Sequence, residues 1–262
     1  MKGIIGLFLV FSIAGYAAES ESFGVFAPYV GTISNAYSNP AYKLNLEGSG
    51  VMTGGYAQWI QPEDFQANAF VYYVPQAGMS DVFGLHVNGD YYPAHFSFGK
   101  LVTGLDFEWV NIRTEGAVPG LESLEVRNKV AMFMPRAGVS VSLLKENNVS
   151  VSLFPYVGAT YEKVSGSVSV NPQGPAPLMT VPIDSDATYA AAGLNLNLNL
   201  MHFIDVQGKY LTGFKTNARW DSVSVLFNVY MSRSLAVSYR YKTMKYSNTT
   251  DQYHLVGIAT II

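Results

Sequence analysis

The side chains able to do covalent or metal chemistry are few in these 262 residues. There are four histidines, His86, His95, His202 and His254, and no cysteine. Without a thiol there is no thiolate nucleophile, no sulfur ligand, no disulfide and no lipid attachment through cysteine. The histidines stand far apart in sequence, no acidic loop has calcium-binding spacing, and no glycine-rich phosphate loop occurs. Asp184 and Asp186 read as ordinary loop residues. One nucleophile–base pairing can be drawn, His254 with Ser238 or Ser247, but no motif supplies the acid or amide partner that would orient the histidine. The reading is therefore not an enzyme, with no catalytic residues, no metal and no cofactor.

The remaining chemistry is electrostatic. Lys43, Asn45, Glu47, His86, Asn88, Asp90, Asp106, Glu108, Arg136, Glu162, Asn195, Asn197, Asn199, Lys209, Arg240 and Lys242 all fall on the polar face of segments whose other face is apolar. Both signs occur on neighbouring segments: Asp106 and Glu108 adjoin the one carrying Arg136, while Arg240 and Lys209 are separated by a single segment. Charges gathered in this way at a narrow point select ions and small solutes. They equally serve as ion-pair and hydrogen-bond networks that fill a closed interior. The lumen-lining candidates are His86, Asn88, Asp106, Glu108, Arg136, Asn195, Asn197, Asn199, Lys209, Arg240 and Lys242.

Strands must position these residues. In Leu194–Leu200 every Leu falls at one parity and every Asn at the other, which is the period of a strand with two different environments; a helix would scatter both around its axis. Val223, Val225, Phe227, Val229 and Met231 likewise oppose Ser222, Ser224 and Asn228, and Leu235, Val237, Tyr239 and Tyr241 oppose Ser238, Arg240 and Lys242. Twelve strands are predicted, at 23–34, 43–60, 66–75, 81–91, 100–113, 127–144, 148–165, 186–201, 204–215, 219–231, 234–246 and 251–262. The stretch 92–100 is long for a turn and leaves ten or fourteen strands open. Counting back from the last strand puts short turns at 231–234, 201–203, 145–148 and 61–64 on one side. The two longest connections, 114–126 and 166–185, fall on the other side, an asymmetry typical of membrane barrels.

Composition says what surrounds such a sheet. Charged residues are 13% and aromatics 14%, with 18 Tyr, where a soluble domain carries about a quarter charged residues. No stretch after the N-terminus has the roughly 18 or more apolar residues that mark a spanning helix, so strands must do the crossing. Trp59, Tyr73, Tyr91, Trp109, Tyr161, Tyr210, Trp220 and Tyr246 lie near predicted strand ends, as interfacial girdle residues do. The net charge is −3, which offers no basic face and makes nucleic acid an unexpected partner. Lys2, the apolar run 3–14 and the small residues Gly15, Ala17 and Ala18 have the layout of a secretory signal peptide over 1–18.

On the leader, the amphipathic strands over 23–262 and the terminal strand from Gln252 to Ile262, the chain resembles the outer-membrane β-barrel proteins of Gram-negative-type bacteria. The resemblance is to the class and not to one family. It implies an antiparallel transmembrane barrel over 19–262, located in the bacterial outer membrane, with lipid and the barrel-assembly machinery as partners. Many such barrels end in an aromatic residue that the assembly machinery reads, and this chain departs from them by ending in Ile262. The expected function is a narrow porin-like channel for passive diffusion of small polar solutes or ions. The alternative is a non-conducting structural, adhesive or loop-binding surface barrel.

Overall fold

The computed structural model describes residues 23–39, 44–61, 64–77, 80–116, 121–146, 148–173, 177–200, 203–215, 218–246 and 249–262. The leader over 1–18 and its cleavage site, together with Lys43, lie outside the described residues. The side chains of Asn45, Glu47 and Tyr246 do so as well.

Twelve strands close into one antiparallel barrel: β1 (Phe23–Asn39), β2 (Leu44–Gln61), β3 (Phe65–Ala77), β4 (Ser80–Phe96), β5 (Gly99–Gly116), β6 (Leu121–Glu146), β7 (Val149–Pro172), β8 (Met179–Leu200), β9 (Ile204–Lys215), β10 (Ala218–Tyr230), β11 (Leu235–Tyr246) and β12 (Thr249–Ile261). Each strand pairs with its sequence neighbours, and β1 pairs with β12 to close the ring. At the closure Gly24 and Ile262 exchange backbone hydrogen bonds at 2.7 and 2.9 Å. Closure removes every free edge within the ring, so each backbone donor and acceptor there has a partner without water.

Parity sorts the side chains as the alternation requires. On β12, Tyr253, Leu255 and Ala259 are buried inward, while Val256 and Ile258 point outward with more than half their surface exposed. On β10 and β11, Ser222, Asn228 and Ser238 are buried, and Val223 and Val237 face out. The outward face is thus an apolar band suited to hydrocarbon.

Three local readings are corrected. The segment 92–100 is not a long turn: β4 continues through Phe96, and the ladder resumes with Ala94 opposite Leu101 after an irregularity between Tyr91 and Ala94. Pro93 has no ladder donor, and a register shift accommodates it without ending the strand. Second, 114–126 and 166–185 are mostly strand, with Glu115 opposite Glu125 and Val168 opposite Val181. The Val/Ser alternation of 164–170 already carries that period, and Gly166 does not break it. Third, Trp220 is no girdle residue. It shares parity with Ser222, points inward, is 6% exposed, and donates from Nε1 to the Tyr189 hydroxyl at 3.0 Å. Tyr73, Tyr91, Tyr161 and Tyr210 do face outward.

The strands are unequal. β9 to β12 have 12 or 13 residues, near the minimum for a tilted span, while β6, β7 and β8 have 26, 24 and 22. The extra length projects as a sheet at the end opposite the chain termini, over roughly 30 Å at about 3.3 Å per residue. There Arg113 and Arg127 both donate to Glu125, at 2.9 and 2.6 Å. The β8–β9 ladder starts only at Ala190 opposite Phe214, so β8 upstream of Ala190 pairs with β7 alone.

Candidate functional site

The barrel interior has two kinds of wall. The inward positions of β1, β2, β3 and β12 carry Tyr29, Met52, Tyr56, Phe70, Val74, Tyr253 and Leu255, packed as a buried apolar cluster. Phe70 stacks on Tyr72 and meets Tyr29 edge to face. Facing this wall, β4, β5, β6 and β9 present His86, Asn88, Asp90, Asp106, Glu108, Arg136 and Lys209. The sequence reading names only polar and charged residues inward, and the aromatic wall is a face that it does not name. In a ring this narrow, large rings fill space that water would otherwise take. Inward glycines make room for them. A Cβ on Gly193 would sit 2.2 Å from Tyr156, and one on Gly213 would sit 2.0 Å from Trp220.

The charged wall is built around Arg136, whose side chain is fully buried. Its Nη1 donates to Asp106 Oδ2 at 2.6 Å and its Nη2 to Asp90 Oδ1 at 2.7 Å. Asn88 donates to Asp106 Oδ1 at 2.7 Å and accepts from Asn68 at 3.0 Å. His86 Nε2 lies 3.4 Å from the same Asp106 oxygen. These contacts join adjacent or next-adjacent strands and organise one side of the lumen.

Two further ion pairs cross the lumen. Lys209 on β9 reaches Asp106 on β5 at 3.0 Å. Lys242 on β11 reaches Glu108 on β5 at 3.1 Å. In a ring of twelve, β5 and β11 are six strands apart in either direction, so the second pair spans the full diameter. Arg240, also on β11, lies instead over the rings of Tyr56 and Phe70 at 4.9 and 4.4 Å.

These bridges leave two cavities, one on each side of a waist. Towards the long-strand end, a cavity of about 60 Å³ is lined by Glu108, Met132, Met134, Thr160, Leu211, Trp220, Lys242 and Met244 among others. Towards the termini, one of about 130 Å³ is lined by Tyr56, Asn68, Asn88, Asp90, Tyr92, Asn195, Asn197 and Gln207 among others. His86, Lys209, Ser224 and Arg240 line both and form the waist. Of the candidates read from sequence, Asn199 borders neither cavity; it lies towards the termini end, opposite Asp205. Arg136 is walled behind its two aspartates.

Outside the waist, Glu162 accepts from Lys215 at 3.0 Å and from Tyr189 at 2.9 Å. Nearer the termini, Ser238 donates to Asn228 at 2.6 Å. On the outward face the Tyr239 hydroxyl meets His254 Nδ1 at 2.8 Å. His254 shares the outward parity of Val256 while Ser238 is buried inward, so the two groups considered for hydrolysis are on opposite faces of the sheet.

No protein-family model matches the chain, and no characterised protein matches it by sequence. Solved structures do match by fold. The translocator domain of the autotransporter NalP from Neisseria meningitidis aligns over 98% of this chain and 94% of its own, at 10% identity and a TM-score of 0.55. The transport unit of the autotransporter AIDA-I from Escherichia coli aligns over 98% and 97%, at 11% identity and a TM-score of 0.54. The β domain of the Bordetella autotransporter BrkA aligns over 92% and 99%, at 16% identity and a TM-score of 0.51. At such identities the likeness is one of architecture, and the chain is a closed twelve-strand barrel with the fold of outer-membrane barrels.

Proposed function

We propose that this protein resides in the bacterial outer membrane, exported by its leader and inserted by the barrel-assembly machinery, and forms a narrow passage for small polar solutes or ions. The observation that carries this reading is the waist: a lumen with a cavity on either side, divided by side chains and not by backbone. The Lys209–Asp106 pair at 3.0 Å crosses at the waist, and the Lys242–Glu108 pair at 3.1 Å spans the cavity on its long-strand side. A hydrogen bond to a charged group contributes about 1.5–3 kcal/mol net, so thermal rearrangement of these side chains opens the way between the cavities. Such a pore passes little current and favours small species.

Single-channel recording of the refolded mature protein in a planar bilayer tests this. Small discrete steps are expected from the native barrel, and larger or longer openings from Glu108→Gln, which removes one half of the diametral pair. Silence from both, with insertion verified, rules the passage out.

A second reading has its own observation, the projecting sheet of β6, β7 and β8. Under it the barrel is a non-conducting support that holds this sheet above the membrane as a binding or adhesive surface. Silent barrels in the recording favour that role.

A further inference from the structure

Among the described residues, one cation of the lumen lacks a carboxylate partner. Arg136, Lys209 and Lys242 each lie within 3.1 Å of a carboxylate oxygen, and together they occupy Asp90, Asp106 and Glu108. Arg240 has no ion pair among the described residues. Its guanidinium rests on the faces of Tyr56 and Phe70, and Nη1 is buried without a hydrogen-bond partner. A ring face stabilises the cation but takes none of the in-plane N–H donors, so the edge of the fork stays available to an anion. Other interior carboxylates make their hydrogen bonds elsewhere: Asp205 accepts from the neutral amides of Gln207 and Asn228, and Glu162 from Lys215 and Tyr189. Asp251 is level with Met244, two inward positions along β11 from Arg240.

We infer that Arg240 is an anion-binding residue and that the cavity on its long-strand side receives a small organic monocarboxylate. Arg240 lines that cavity and is the one among Arg136, Lys209, Arg240 and Lys242 with no carboxylate at ion-pair distance, which leaves it free to take a single negative charge. The cavity is also lined by Met132 and Met134 on β6, Leu211 on β9 and Met244 on β11 itself, a polarisable apolar surface that a halide would leave unused and a short hydrocarbon chain would cover. This inference deepens the channel reading by naming what the passage admits.

Trp220 lines the same cavity, so its fluorescence in the full mature barrel, folded in detergent, reports occupancy. Sodium butyrate is titrated against sodium chloride and butylammonium chloride at matched ionic strength. A saturable change with butyrate is expected, weakened about tenfold or more in Arg240→Gln and largely kept in Arg240→Lys. Equal response to butyrate and butylammonium, no saturable response, or undiminished binding in folded Arg240→Gln overturns the site. If Arg240→Gln does not fold, the comparison of the two ligands on the native barrel decides. Butyrate binding by a barrel silent in the bilayer keeps the site and removes the channel, whereas conduction without butyrate binding removes the site and keeps the channel.

Discussion

At the residue scale the interior depends on Arg136. It is the buried hub that lets Asp90 and Asp106 stand side by side, and each of its two outer nitrogens is used. Arg136→Ala leaves two carboxylates facing each other in a closed interior, and removing one partner of a buried ion pair costs about 3–5 kcal/mol. Urea unfolding of the refolded barrel, followed by tryptophan fluorescence, is expected to show a loss of that size. A loss below about 1 kcal/mol would place the pair in the class of solvated surface pairs. Asp106, Glu108, Arg136, Lys209, Arg240 and Lys242 were all identifiable from parity alone, because a charge opposite a run of apolar residues has only one dry-land direction in a membrane strand. Their pairing was not. Lys209 with Asp106 and Lys242 with Glu108 are 103 and 134 residues apart in sequence, and only ring closure brings them together.

At the scale of the element, alternation carries the assignment of faces, and β8 gives the cleanest test. Asn195 and Asn197 line the cavity on the termini side, while Leu194 and Leu196 are exposed on the outer face. Asn197→Leu is expected to leave the barrel foldable. Leu194→Arg, at the middle of the part of β8 that pairs with β9, puts a charge among outward Leu residues at a cost of about 2–4 kcal/mol near the bilayer midplane. Refolding yield into lipid vesicles, scored for both variants, checks the assignment, and equal yields would sink it. Where the strand reading failed, it failed at proline and glycine. The predicted strands 81–91 and 148–165 stop just short of Pro93 and at Gly166, yet β4 absorbs the first through a register shift and β7 runs straight through the second. Gly166 has partners on both sides, Asn128 and Ile183, whereas β4 beyond Pro93 is carried by β5 alone.

For the whole molecule, closure and projection are separable. The β7–β8 ladder holds Val149 opposite Leu200 through Lys163 opposite Asp186 before the projecting part begins. Replacing 166–185 by a short turn is therefore expected to leave a closed barrel that migrates as a compact folded species on an unheated gel. Failure to refold would mean that the projecting sheet is needed to assemble the ring. The aromatic wall belongs to this scale too. Tyr29, Tyr56, Phe70 and Tyr253 meet because β12 closes on β1, which sets β2 and β3 beside the last strands. Nothing in their local sequence distinguishes an inward tyrosine from a girdle tyrosine, and Trp220 shows that parity has to overrule position along the strand.

The amino-acid sequence by itself determined that strands cross and which parity faces lipid, because a period of two with one apolar face has a single solution in hydrocarbon; it put their number at twelve with ten or fourteen open, and ring closure settled twelve. It also excluded thiol chemistry, since no cysteine exists. Only the tertiary structure decided that the lumen is pinched to a waist, that three of its cations are matched, and that Arg240 is not. Those outcomes depend on which strands face each other across the ring and on the few ångströms between opposed side chains, and neither quantity is local to any stretch of chain.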